Sequence, residues 1–220
     1  MTRVLNFGRR AAKSGKPRSM VVFVHGYGAD GADLLGLADP LAAHLPNTVF
    51  LSPDAPEKCS GNPFGYQWFP IPWLDGSSEA AAAEGLARAA DDLNAFLDAR
   101  LADEGLTPDA LALVGFSQGS MISLHVAPRR NATIAGVVAF SGRLLSPERL
   151  GAEARVKPPV LLIHGDADPV VPFQDMDRAG TALIAAGFET FGHVMQGTGH
   201  GIAPDGLSVA LAFLKERLPG

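Results

Sequence analysis

Val114-Gly-Phe-Ser-Gln-Gly119 decides how this chain is read. A short apolar run, Leu111 to Val114, precedes it and an apolar helical pattern follows, so the serine falls at a strand-to-helix junction. A serine can attack a carbonyl only if its hydroxyl stands clear of the chain, which requires a sharp turn at that residue. Gly115 and Gly119, two before and two after Ser117, remove the Cβ atoms that would collide across such a turn. Glycine and serine are common, so the pentapeptide needs support from elsewhere in the chain.

Two later stretches supply it. His164-Gly-Asp-Ala-Asp-Pro-Val-Val-Pro172 follows the apolar run Val160 to Ile163, and Gly197-Thr-Gly-His-Gly201 follows Thr190 to Met195. A serine hydroxyl needs a base to take its proton, and the base needs a carboxylate to fix its tautomer and stabilise the imidazolium. Ser117, Asp168 and His200 supply these groups in the Ser…Asp…His order of α/β-hydrolases. Asp166 is an alternative to Asp168 for the orienting role, since spacing alone does not fix the loop. The reading is an esterase-type serine hydrolase.

Working outward, apolar runs bounded by turn residues recur at Met20–Val24, Thr48–Leu51, Leu111–Val114, Gly136–Phe140, Val160–Ile163 and Thr190–Met195. Several are continuously apolar rather than alternating, which suits parallel strands covered on both faces. Helical patterns lie between them. The clearest runs from about Glu79 to Leu101 with Gly105 beyond its end, and another carries Leu207, Ala210, Leu211, Leu214 and Leu218. The expectation is an α/β fold: a single mainly parallel sheet flanked by helices on both faces, residues 1–220 forming one domain. In such sheets ligands bind beyond the carboxyl ends of the strands. His25 to Gly28, Ser117, Asp168 and His200 all fall there.

An oxyanion needs donors. The N–H after the nucleophile, Gln118, stands at a helix start, where the dipole favours negative charge. The second donor comes from the loop after an earlier strand, His25-Gly-Tyr-Gly28, with the Tyr27 N–H as the candidate. One such donor is worth roughly 3–4 kcal/mol of transition-state stabilisation.

His25-Gly-Tyr-Gly-Ala-Asp-Gly31, Leu51-Ser-Pro-Asp-Ala-Pro56, Gly115-Phe-Ser-Gln-Gly-Ser-Met121, His164-Gly-Asp-Ala-Asp-Pro169 and Gly199-His-Gly201 together resemble the phospholipase/carboxylesterase family, which includes bacterial carboxylesterases, acyl-protein thioesterases and lysophospholipases. The resemblance runs over nearly the whole chain from Val21. It implies Ser117 as nucleophile, Asp168 and His200 as its partners, and Tyr27 and Gln118 as oxyanion donors, with no metal or cofactor. Tyr27 departs from the family, which commonly has leucine or another apolar residue there. A backbone donor tolerates the change. Family members are often dimers, so a homodimer is also raised.

Both tryptophans fall in Phe64-Gly-Tyr-Gln-Trp-Phe-Pro-Ile-Pro-Trp73, read as an aromatic, proline-rich loop. Trp68, Phe69 and Trp73 could line an acyl channel, or the rings could cover the sheet edge or pack between protomers. The absence of a charged clamp favours small acyl esters, thioesters or lysolipids over anionic substrates.

Composition bounds the rest. Residues 1–19 hold six basic residues and no acid, whereas the remainder carries 12 basic and 23 acidic. Arg9-Arg10 resembles part of a twin-arginine signal, but no adequate apolar region or cleavage site follows. This basic segment reads as a solvated entry with Val4, Leu5 and Phe7 on an edge strand. The acidic body argues against nucleic-acid binding. Apolar runs such as Met20–Val24 are too short to span a bilayer. The single cysteine, Cys59, excludes an intramolecular disulfide and fits a reducing compartment, so a cytoplasmic location is expected. His25 and His164 read as satisfied, partly buried loop histidines rather than bases or metal ligands.

Two other readings are available. Gly26-x-Gly28-x-x-Gly31 with Asp54 downstream has the form of a dinucleotide-binding fingerprint. A catalytically silent hydrolase fold used for binding is the other.

Overall fold

A computed structural model of the chain describes residues 2–59 and 62–220. Its strands are β1 (Phe7–Arg10), β2 (Ser19–Val24), β3 (Thr48–Pro53), β4 (Glu57–Cys59), β5 (Asn62–Gln67), β6 (Leu111–Phe116), β7 (Gly136–Phe140), β8 (Val160–Gly165) and β9 (Thr190–Met195). The helices are α1 (Gly31–Leu35), α2 (Ala38–Ala42), α3 (Pro72–Asp75), α4 (Glu79–Glu104), α5 (Gln118–Arg129), α6 (Pro147–Glu153), α7 (Gln174–Ala185) and α8 (Pro204–Arg217). Among the described residues, seven strands form one sheet in the order β1-β3-β2-β6-β7-β8-β9. Only β1 runs antiparallel; the other pairings are parallel.

The side chains explain the continuous apolar runs. Along β2, Met20, Val22 and Val24 enter the layer beneath α4 and α5, while Val21 and Phe23 enter the layer beneath α1, α2 and α8. Val137 and Val138 divide in the same way on β7. Both faces of these central strands are therefore covered, which is why their sequences are continuously apolar. Helix α4 starts at Ser78, whose hydroxyl accepts the Ala81 N–H, and ends at Gly105 in the left-handed conformation (φ 66°). Leu93 and Leu97 are fully buried on its sheet-facing side.

The amino-terminal segment differs from the expectation. The edge strand begins only at Phe7; Val4 is 97 % exposed and Leu5 is buried ahead of it. Three of its basic residues are also paired rather than simply solvated. Arg3 donates through its backbone N–H and its Nε to the buried Asp92 carboxylate (2.6 and 2.7 Å), and through Nη1 to Glu57 on β4 (3.0 Å). Arg9 pairs with Glu104 and Arg10 with Asp39. A buried Asp92 requires such a partner, and Arg3 is held out of the strand to provide it.

The aromatic stretch is also more ordered than a loop. Its first part is β5, which pairs antiparallel with β4, and its last part is the short helix α3. The β4–β5 hairpin packs on the segment after β2: the Gly28 N–H donates to the Tyr66 carbonyl and the Tyr66 N–H to the Ala29 carbonyl, both at 2.8 Å. Among the described residues, no helix is long and apolar enough to cross a membrane.

Candidate active site

Ser117 sits between β6 and α5 with φ 55° and ψ −116°, a conformation that L-residues rarely adopt. Close packing enforces it. A Cβ on Gly119 would lie 1.8 Å from the Val24 carbonyl oxygen, and one on Gly115 would lie 2.5 Å from the Ser120 nitrogen. The Ser117 N–H donates to the Phe140 carbonyl at 2.9 Å, which ties the turn to β7.

His200 arrives from the β9–α8 loop. Its Nε2 lies 3.0 Å from Ser117 Oγ and its Nδ1 2.7 Å from Asp168 Oδ2. The ring rests against Phe116, with centroids 4.9 Å apart. Asp168 lies beyond β8 with its carboxylate shielded from solvent. Its other oxygen accepts the Val170 and Val171 N–H groups at 2.8 and 3.0 Å. Burial pushes this acid towards its neutral form, but the bonds from His200 and the two amides outweigh it and hold it below its ordinary value. Because a carboxylate is only an acceptor, His200 Nδ1 carries a proton, and Nε2 is left to accept from the serine.

The structure thus joins Ser117, His200 and Asp168 by hydrogen bonds and leaves Asp166 outside. Asp166 instead accepts the Gly197 N–H at 2.6 Å, holding the loop that carries His200. His164, read from sequence as a partly buried loop histidine near the site, lies within β8 instead. It is buried, donates through Nε2 to the Val171 carbonyl at 3.0 Å, and comes within 3.4 Å of Asp168 Oδ2. The only sequence signal was its position four residues before Asp168.

His25 is fully rather than partly buried. Its Nε2 accepts the Ala55 N–H at 2.9 Å, so the proton resides on Nδ1 and is donated to the Gly26 carbonyl at 2.7 Å. Burial lowers its pKa, and the ring is held neutral as a brace for the 25–29 loop. Tyr27 lies in that loop, half-buried against the core.

Gln118 opens α5, so its N–H belongs to the first turn, which lacks intrahelical acceptors. Its fully buried side chain accepts the Trp68 N–H (2.9 Å) and donates to the Phe69 carbonyl (2.7 Å). The Trp68 indole N–H donates to the His25 carbonyl at 3.0 Å. Trp68 is therefore fully buried and Phe69 nearly so, which removes both from the surface a substrate could touch; Trp73 is 62 % exposed. The hydrogen bonds of the first two explain the correction: their backbone and indole groups fasten the aromatic segment to Gln118 and His25.

The glycine pattern at 26–31 does not build a nucleotide site. The Gly31 N–H donates to Asp54 Oδ1 at 2.9 Å, and a Cβ there would meet the Ser52 carbonyl at 2.4 Å. Asp30 caps α1, a helix of five residues, through the Ala32 and Asp33 N–H groups. The groups that a pyrophosphate and a ribose would need are bonded within the chain.

With this geometry in view, relatives are informative. The phospholipase/carboxylesterase family profile matches residues 9–218. The chain is similar to a probable carboxylesterase of rice (Oryza sativa subsp. japonica), 31 % identical over 94 % of this chain and 81 % of that protein. It is 30 % identical to acyl-protein thioesterase 1 of Saccharomyces cerevisiae over 97 % of this chain and 99 % of the yeast protein. Among solved structures, esterase PE8 superposes with a TM-score of 0.93 at 45 % identity, covering 98 % of this chain and 100 % of its own. The mainly parallel sheet with helices on both faces is thus an α/β-hydrolase fold, and the chain belongs to the phospholipase/carboxylesterase family and is a carboxylic ester hydrolase.

Proposed function

We propose that this enzyme hydrolyses small acyl esters, thioesters or lysolipids through an acyl-enzyme formed on Ser117. The observation that carries the reading is the unbroken chain from Asp168 through His200 to Ser117 Oγ, at 2.7 and 3.0 Å, on a strained turn. Names among the relatives, carboxylesterase and acyl-protein thioesterase, support the substrate class.

Ser117 Oγ attacks the acyl carbonyl while His200 Nε2 takes its proton. Asp168 keeps His200 in the tautomer that accepts at Nε2 and stabilises the imidazolium. The Tyr27 and Gln118 N–H groups stabilise the oxyanion of the tetrahedral intermediate. His200 then protonates the departing alcohol or thiol, activates a water, and the acyl-enzyme is hydrolysed to the acid and free Ser117. No step calls for a metal or cofactor. A cytoplasmic location and a homodimer accompany this reading as further proposals.

The test is turnover of p-nitrophenyl esters from acetate to palmitate together with fluorophosphonate labelling, for the native chain and Ser117→Ala. Turnover and labelling that both vanish in the variant support the mechanism; full activity in Ser117→Ala overturns it. A native chain that neither turns over nor labels would instead be a silent, ligand-binding fold.

A further inference from the structure

The proposed site has a wall that the sequence did not disclose. Arg143 lies one residue beyond Gly142, which packs so tightly on the nucleophile turn that a Cβ there would sit 2.4 Å from Ser120 Cβ and 3.1 Å from the Ser117 carbonyl oxygen. From this position its guanidinium reaches the face of Trp73, with Cζ 5.1 Å from the ring centroid, and its Nη2 lies 2.8 Å from Asp175 Oδ2. Asp175 is nearly buried and receives a second cation, Arg178, at 3.1 Å.

Each of these three residues is anchored beside one part of the site. Trp73 follows Phe69, whose carbonyl is held by Gln118. Arg143 follows the segment against Ser117. Asp175 follows Val171, whose N–H holds Asp168. The bridge therefore joins the aromatic segment, the loop after β7 and the start of α7 on one flank of Ser117. Its outward surface is apolar, since Trp73 and Leu74 are 62 % and 56 % exposed. A guanidinium that lies over a ring and within 2.8 Å of a carboxylate is drawn to both.

We infer that Arg143 is a specificity-determining residue: by clamping Trp73 between the β7 loop and Asp175, it forms the wall that limits the acyl chain accepted at Ser117. The inference rests on the proposed acyl-enzyme reading and gives it a substrate class, short-chain acyl groups. The leaving group takes its proton from His200, so it must lie on the His200 side of Ser117. The hydrocarbon of the acyl group then extends away from His200, toward the segment that Gln118 holds at Trp68 and Phe69 and that runs on to Trp73. A loosened wall admits longer chains and leaves the chemistry at Ser117 unchanged.

The experiment measures kcat/KM for p-nitrophenyl acetate, butyrate, octanoate and decanoate in the native chain, Arg143→Ala, Trp73→Ala and Trp73→Phe. A parallel series holds the acetyl group fixed and varies the alcohol. Trp73 is exposed, so its variants test the wall without opening the core. The expected result is an octanoate-to-acetate ratio that rises roughly tenfold in Arg143→Ala and Trp73→Ala. The acetate rate of each variant is the reference for that ratio, and Trp73→Phe, which keeps a ring under the guanidinium, should keep the native ratio. An unchanged ratio in labelled, folded variants overturns the inference, as does a change confined to the alcohol series. A native chain that turns over no ester and takes no fluorophosphonate label overturns the acyl-enzyme reading itself, a result distinct from an active enzyme whose ratio does not move.

Discussion

At the scale of single residues, the nucleophile turn combines strain with function. Ser117 holds φ 55° because Gly115 and Gly119 pack against backbone on both sides. A non-glycine residue so placed costs about 1–3 kcal/mol. Ser117→Gly should therefore stabilise the fold by about 1 kcal/mol while abolishing turnover, measured by urea unfolding and ester hydrolysis on the same sample. Asp168→Asn should keep the fold but lower kcat by roughly four orders of magnitude, because an amide can present the wrong group to His200. The depressed pKa of Asp168 also has a sign in stability. Its contribution is complete at neutral pH and is lost as pH falls through the folded-state value, below the ordinary carboxylate range.

At the scale of elements, α5 carries the turn at one end and His125 near the other. Burial, reinforced by Arg129, lowers the His125 pKa to about 4. Between roughly pH 6.5 and 4 the unfolded chain binds a proton there that the folded chain does not, so stability rises with pH across that window. His125→Gln should flatten this dependence, by at most about 3 kcal/mol between the two limits. Denaturant unfolding at pH 4.5 and 7 would show it, and equal slopes for both proteins would refute it. The hairpin offers a second case. A Cβ on Gly65 would fall 2.0 Å from the Gly28 carbonyl oxygen, so Gly65→Ala must push the hairpin off the 25–29 loop. Lower kcat with Tyr27 and Ser117 both intact is the expected outcome, read by steady-state kinetics beside fluorophosphonate labelling. Strands such as β7 were legible because two buried faces leave a continuous apolar run. The β4–β5 hairpin was not, since Pro63, Gly65 and a dense aromatic run look like loop composition until the partner strand is known. Trp68 misled for the same reason: an aromatic in an apparent loop reads as surface, and only the bonds it donates to Gln118 and to His25 reveal it as framework.

At the scale of the whole molecule, the order of the sheet brings together residues far apart in the chain. Ser117 follows β6, Asp168 follows β8 and His200 follows β9, and parallel strands end on the same side. That grouping was legible in sequence because parallel connectivity leaves little freedom in where strand ends go. The choice of Asp168 over Asp166 came from the family resemblance rather than from spacing, since it depends on which carboxylate the Val170 and Val171 amides face. The wall at Arg143 was likewise hidden, for its partners are 70 residues upstream and 32 downstream.

The arginine near the start of the chain has a wider reach than its position suggests. Arg3 grips Asp92 on α4 and Glu57 on β4, β4 pairs with β5, and β5 holds the Gly28–Ala29 backbone. The first few residues are thus mechanically in series with the loop that carries Tyr27. Arg3→Ala should cost about 2 kcal/mol by leaving a buried carboxylate short of a partner. It should also slow turnover, although no atom of Arg3 touches Ser117, His200 or Asp168. A fusion or affinity tag that displaces Arg3 should act like a mild inhibitor, whereas the same tag after Gly220 should leave the kinetics alone.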